Sequence, residues 1–347
     1  MKHPHIFALV PFTLLLTGCP VSSDPAGRQT ASTETNLSRD VEPSQRRAEP
    51  IDDLVQRTLL ENLSDRALSS DTHGAWQILH GVLAYGDQFT IETPTGTQPA
   101  IQYLLDGGSV SGFEPRPGQP LGDPLRPGLD MEMQPTTKIG QGHRDQWLAI
   151  LSQSGLAPET EIRSASGTFT INDWVNQTEY DIPRNLELEF SWTLIALTAY
   201  RETSHTWQAT DGRRYSIEAL LESELQQDIS ASVCGGTHRL IGVSMALAQR
   251  RREKAPISGV WLDAQQLLNE AVELAKQNQN EDGSFSVAYL HRPGITRDLG
   301  ERLGTTGHVL EFLALAASDQ TLQEPWVERS VRHLCQILDD CQGIDLE

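Results

Sequence analysis

Five segments of this chain are apolar on every side of a helix: Trp76–Ala84, Trp147–Leu151, Phe190–Tyr200, Leu240–Ala248 and Val309–Ala317. A helix without a wet face has to be surrounded by other chain. Between these segments run amphipathic ones with i, i+3, i+4 spacing: Ile51, Leu54, Val55, Leu59 and Leu63; Ile217, Leu220, Leu221 and Leu225; Leu267, Leu268, Ala271, Val272 and Ala275; Val327, Val331, Leu334 and Leu338. Alternating a fully buried helix with a half-buried one is what two concentric helical rings require. The pattern therefore predicts an all-α fold over residues 51–347, an α/α toroid of about six helical hairpins.

An internal repeat supports hairpin units. Phe169-Thr-Ile-Asn-Asp-Trp174 recurs 46 positions later as Tyr215-Ser-Ile-Glu-Ala-Leu220, with Thr170 and Ser216 placed as N-cap hydroxyls. Between Pro94 and Pro135 the chain is dense in Gly and Pro, which helix does not tolerate. Residues 106–140 are expected to be an irregular loop over one mouth of the ring, and Asp282–Gly304 a second such loop.

Gln279-Asn-Glu-Asp-Gly283-Ser-Phe285, after Leu274-Ala275-Lys276, resembles the Q-x-x-x-G-x-W/F half of the repeat motif of terpenoid cyclases and protein prenyltransferases. The resemblance implies an α/α toroid, shared by complement-like thioester domains, with the Gln hydrogen-bonded at a helix end and the aromatic packed beneath. The active-site motifs of these families are absent. Ser232-Val233-Cys234 lacks the Asp-x-Cys pair of the prenyltransferases, which hold zinc with Asp, Cys and His. Cys234-Gly235-Gly236-Thr237 lacks the Gln of a thioester. Neither Asp52-Asp53 nor Asp339-Asp340 forms the Asp-x-Asp-Asp of a protonating cyclase.

The amino terminus carries an address. Lys2 precedes the apolar run Ile6–Leu16, too short for a membrane helix, and Leu16-Thr17-Gly18-Cys19 resembles a bacterial lipobox. That resemblance implies a signal peptide over residues 1–18, cleavage before Cys19, acylation of its sulfur and a lipid-anchored protein on the extracytoplasmic face of the cell envelope. Residues 19–50 hold almost no large apolar side chain after the cysteine and read as a flexible tether. A net charge of −20, from 27 Lys+Arg and 47 Asp+Glu, excludes a nucleic-acid partner. Cys234, Cys335 and Cys341 are odd in number, so at least one is free, metal-bound or paired between chains.

Histidines stand at or just before the starts of the apolar segments: His73, His143, His238 in Cys234-Gly-Gly-Thr-His238, and His308. If the buried helices run parallel, these imidazoles and the Cys234 thiol meet at one mouth. Cys234, His238 and His308 are then candidate zinc ligands, with an open position for water. Alternatively Cys234 is a nucleophile with His238 or His308 as base, and Glu311, three residues after His308 in an apolar run, completes an acid–base set. Asp145, Glu187, Glu189 and Glu311 are candidate glycosidase carboxylates, and Trp76, Trp147, Trp192 and Tyr200 a candidate aromatic binding floor. Three functions stay open: a tethered module that binds a peptide, glycan or envelope partner, a hydrolase, lyase or transferase, and a purely structural lipoprotein.

Overall fold

The computed structural model describes residues 49–122, 125–185 and 189–344. Cys19, the lipobox and the tether as far as residue 48 lie outside the described residues. The all-α toroid expectation is corrected: the described residues are about 54% helical with 14% strand, the strands forming four small two-stranded antiparallel sheets, so the fold is mixed α/β. The helices are α1 (Ile51–Asp65), α2 (Ala75–Tyr85), α3 (Ala100–Leu105), α4 (Gln146–Ser152), α5 (Ile171–Asp181), α6 (Ser191–Tyr200), α7 (Ile217–Leu225), α8 (Thr237–Arg252), α9 (Val260–Asn278), α10 (Leu299–Ala316), α11 (Asp319–Leu322) and α12 (Pro325–Asp340). The hairpins are β1 (Thr90–Thr93) with β2 (Gly96–Pro99), β3 (Arg116–Leu121) with β4 (Arg126–Asp130), β5 (Glu161–Ser164) with β6 (Gly167–Thr170), and β7 (Thr206–Gln208) with β8 (Arg214–Ser216).

The strands explain the sequence repeat. Phe169-Thr170 closes β6 and Tyr215-Ser216 closes β8, each leading directly into α5 or α7, so the repeated unit is a β-hairpin followed by a half-buried helix. A third copy, β1–β2 into α3, has Pro99 in place of the capping hydroxyl. The caps themselves form as the spacing predicts: Thr170 accepts from the Asp173 N–H and Ser216 from the Ala219 N–H. Each hairpin buries one face through alternate residues, Ile91, Ile162 with Phe169, and Trp207. Strands of three or four residues carry too short an alternation to be separated from a helix lead-in by periodicity alone.

The Gly/Pro-rich stretch is likewise not wholly irregular. Prolines 117, 120 and 127 sit within the β3–β4 ribbon, whose register shifts between Pro117 and Pro120. A two-stranded ribbon is all edge, and edges accept proline. The ribbon lies on α5, where the Gln177 Oε1 accepts from the Gln119 N–H at 2.8 Å and Arg126 pairs with Asp173 at 3.1 Å.

The nearly all-buried helices pack in chain order, α2 on α4, α4 on α6, α6 on α8 and α8 on α10, while α12 contacts both α10 and α1. Gly242 makes one of these approaches close: a Cβ there would stand 2.7 Å from the Ser191 carbonyl oxygen. Beside α12, the Gln279 Nε2 donates to the Trp326 carbonyl at 2.8 Å, its Oε1 accepts from Arg329 at 2.8 Å, and Phe285 is buried. Among the described residues no helix is long and apolar enough to cross a membrane.

Candidate metal centre

The site is organised around His238, the second residue of α8. Cys234, Gly235 and Gly236 all adopt left-handed backbone, with φ of 50°, 60° and 75°, so the chain reverses sharply before the helix begins. Gly235 approaches the Tyr289 ring and Gly236 approaches Ile229 so closely that a Cβ would sit 2.4 Å from either side chain. Gly236→Ala is therefore expected to cost about 1–3 kcal/mol in chemical denaturation and to displace His238, weakening metal uptake. An alanine variant with unchanged stability and uptake would remove this turn from the account of the site.

His308 and His80 enter from helix interiors. The expectation that α10 starts near Val309 is corrected: Asp298 caps the helix by accepting from the Glu301 N–H, and Thr305-Thr306-Gly307-His308 lies within it. The His308 Nδ1 bonds the Gly304 carbonyl at 2.7 Å, and the His80 Nδ1 bonds the Trp76 carbonyl. A carbonyl only accepts, so each Nδ1 carries the proton and each Nε2 presents a lone pair. The His308 Nε2 is buried with no hydrogen-bond partner. Burial pushes both imidazoles down to about 4, and pushes His238 well below its ordinary value. Three neutral imidazoles thus stand close together, in the form that ligates metal.

His143 is carried by the turn before α4. Asp145, left-handed at φ 64°, accepts from Thr178 at 3.1 Å and Thr193 at 2.6 Å, which ties that turn to α5 and α6. The His143 Nδ1 lies 2.6 Å from the Glu189 Oε1. Burial opposes ionisation of Glu189, but the His143 bond and the adjoining His143, His238 and Arg239 side chains outweigh it and hold the carboxyl down at about 2. Glu224 of α7 fixes the far wall, accepting from the Phe190 N–H at 2.7 Å and from Arg239 at 2.7 Å.

His238 lies between two sets of ligand atoms. Cys234, His238 and His308 place one atom each within 4.8 Å of one another, as do His143, Glu189 and His238, so either set could hold a metal ion. The ring centre of His238 is 5.1 Å from that of His143 and 5.3 Å from that of His308. Imidazoles sharing a tetrahedral ion at metal–nitrogen distances of about 2.0–2.1 Å have ring centres about 5 Å apart. Cys234 is disulfide-bonded, with Cys335 and Cys341 free and Cys19 outside the described residues. It becomes a thiolate ligand or a nucleophile only on reduction.

A cleft of about 410 Å³ opens onto this cluster, lined by His143, Arg144, Asn185, Glu189, Asp228 and Arg239 among others. Trp192 contacts both His143 and His238, at 5.9 and 5.2 Å between ring centres. Trp76 lies tilted against His80 at 4.1 Å between ring centres, and Trp147 meets His80 edge-on while its Nε1 donates to the Gly112 carbonyl. These two tryptophans are therefore walls behind the imidazoles and do not form an exposed floor. Tyr200 lies at the opposite end of α6 from Trp192, about 12 Å along the axis. His73 bonds locally to Ser69 and Thr72, and His80, which periodicity alone assigns to the core, is the imidazole that neighbours His143 and His308. Glu311 is buried without a partner for its Oε2, Asp145 is a structural anchor, and Glu187 lies outside the described residues.

Comparison with protein-family models, curated proteins and solved structures finds no match.

Proposed function

We propose that this chain is a lipid-anchored extracytoplasmic protein that holds a zinc ion at His238 and uses it, at the floor of the cleft, to hydrolyse a small polar substrate or the end of a peptide or glycan. The spacing of the imidazoles around His238 carries this reading. Neutral nitrogen donors beside a carboxylate suit zinc, and the backbone bond of His308 and the Glu189 bond of His143 are the outer contacts that orient ligating imidazoles. His143 is one-fifth exposed at the cleft, so the ligand set has a side open to solvent. When bound, zinc supplies a water acidified to near-neutral pKa. The His143–Glu189 pair supplies a place to hold a proton at the cleft wall.

The test is titration of chelator-stripped protein with Co(II) and Zn(II). One equivalent taken up with tetrahedral Co(II) absorption, and ester or amide cleavage restored by zinc, is the expected result. No uptake at equimolar micromolar metal would remove the metal, and uptake without cleavage would leave a binding module for the same ligands. Mass spectrometry of protein extracted from the envelope tests the anchor, with acylation expected at Cys19.

A further inference from the structure

One cation of the cleft, Arg144, makes no hydrogen bond among the described residues. No atom of the Arg144 guanidinium takes a hydrogen bond or ion pair among the described residues, and its Nε is buried without a partner. The neighbouring carboxylates Asp145 and Asp181 feel the Arg144 charge but take their hydrogen bonds elsewhere, Asp145 from Thr178 and Thr193, Asp181 through Oδ2 from Gln177 and Arg184. The other charges of the cleft are also committed. Arg239 pairs with Glu224, Glu189 with His143, and Asp228 accepts from Ser230. The same cleft is lined by Asn185, 1% exposed, whose Nδ2 donates to the Glu189 carbonyl and to Thr193. Its Oδ1 is buried and accepts nothing.

A guanidinium without a hydrogen bond and an amide oxygen without a donor, lining one cleft, suit a ligand with an anion on one side and an N–H or O–H on the other. The anion has to carry a single charge. Glu189 and Asp228 line the same cleft, and the chain's net charge of −20 raises the cost of a dianion further. We infer that Arg144 and Asn185 form a recognition subsite for the carboxylate and adjacent N–H of an N-acylated amino acid, the group that ends a peptide. This inference rests on the zinc reading only for what happens to the bound ligand; the subsite needs no ion to recognise it.

The experiment compares N-acetylglycine with its uncharged amide, N-acetylglycinamide, by calorimetry on the full chain, with zinc content measured on the same samples. Wild-type protein is expected to bind the acid at least about tenfold more tightly than the amide, one charge-assisted contact being worth that much. Arg144→Gln is expected to abolish the preference with zinc content unchanged, and Arg144→Lys to retain part of it. Equal binding of acid and amide by wild type overturns the inference. A preference that survives Arg144→Gln overturns it too, because the carboxylate is then held by the ion or by another group. A preference that depends on Arg144 in protein that takes up no zinc supports the subsite and removes the metal reading alone.

Discussion

His238→Ala is expected to weaken zinc binding more than any other single substitution, because His238 alone belongs to both ligand sets. Losing a hydrogen-bonding partner of a ligand costs roughly 10–100-fold in metal affinity, and losing the ligand costs more, so a fall beyond about 100-fold is expected. His308→Ala and His143→Ala each remove one set and leave the other, so their losses are expected to be smaller. His73→Ala, which touches neither set, is expected to leave affinity unchanged. Competition with a chromophoric chelator reads the affinities, and far-ultraviolet circular dichroism shows whether each variant is folded. The buried imidazole also packs against Trp192, so about 1–3 kcal/mol of stability goes with it. His238→Gln keeps much of that volume and separates the two effects. Zinc affinity unchanged in a folded His238→Ala or His238→Gln protein would leave the cluster as a set of buried hydrogen-bonding residues.

Much of this centre is legible in the sequence, but through composition more than position. A histidine at the leading edge of an apolar segment is conspicuous, and His143, His238 and His308 stand out for that reason. His80 is equally conspicuous within Trp76–Ala84 but lies mid-helix, so a reading keyed to helix starts selects His73 instead. The same habit misplaces the start of α10: glycine and threonine look like a boundary, yet Gly304 and Gly307 are buried within the helix and Thr305 returns its hydroxyl to the Glu301 carbonyl. Glu224 has a signal that was available, since it occupies the apolar stripe of α7 one heptad after Ile217. Asp145 has none. Its role comes from two threonines on separate helices and from a left-handed backbone angle, which no local pattern reports. The strands escape for a third reason: pairing is non-local, and hairpins this short alternate over too few residues to differ from the helix that follows.

Glu311→Gln is expected to stabilise the metal-free protein, by an amount that depends on pH. Burial raises the Glu311 carboxyl from 4.5 to about 8, and no charged neighbour contributes to that shift. Below the unfolded value both states hold the proton and the residue costs nothing. As pH rises above 4.5 the unfolded chain ionises while the folded chain stays protonated, so stability falls, and the fall levels off once pH passes about 8. At pH 7 the accumulated loss is on the order of 3 kcal/mol. Glutamine stands in for the protonated acid at every pH, so urea unfolding should show variant and wild type converging near pH 4.5 to 5 and separating by several kcal/mol at pH 8. A gap of the same size at both pH values would mean that an ionised Glu311 finds a cation in solution. A carboxyl retained at that cost, one helical turn from His308, is a buried O–H donor at neutral pH. If it serves the chemistry of the centre, the glutamine variant keeps its zinc and gains stability while losing turnover. A variant that gains stability with turnover intact would confine Glu311 to the energetics of the core.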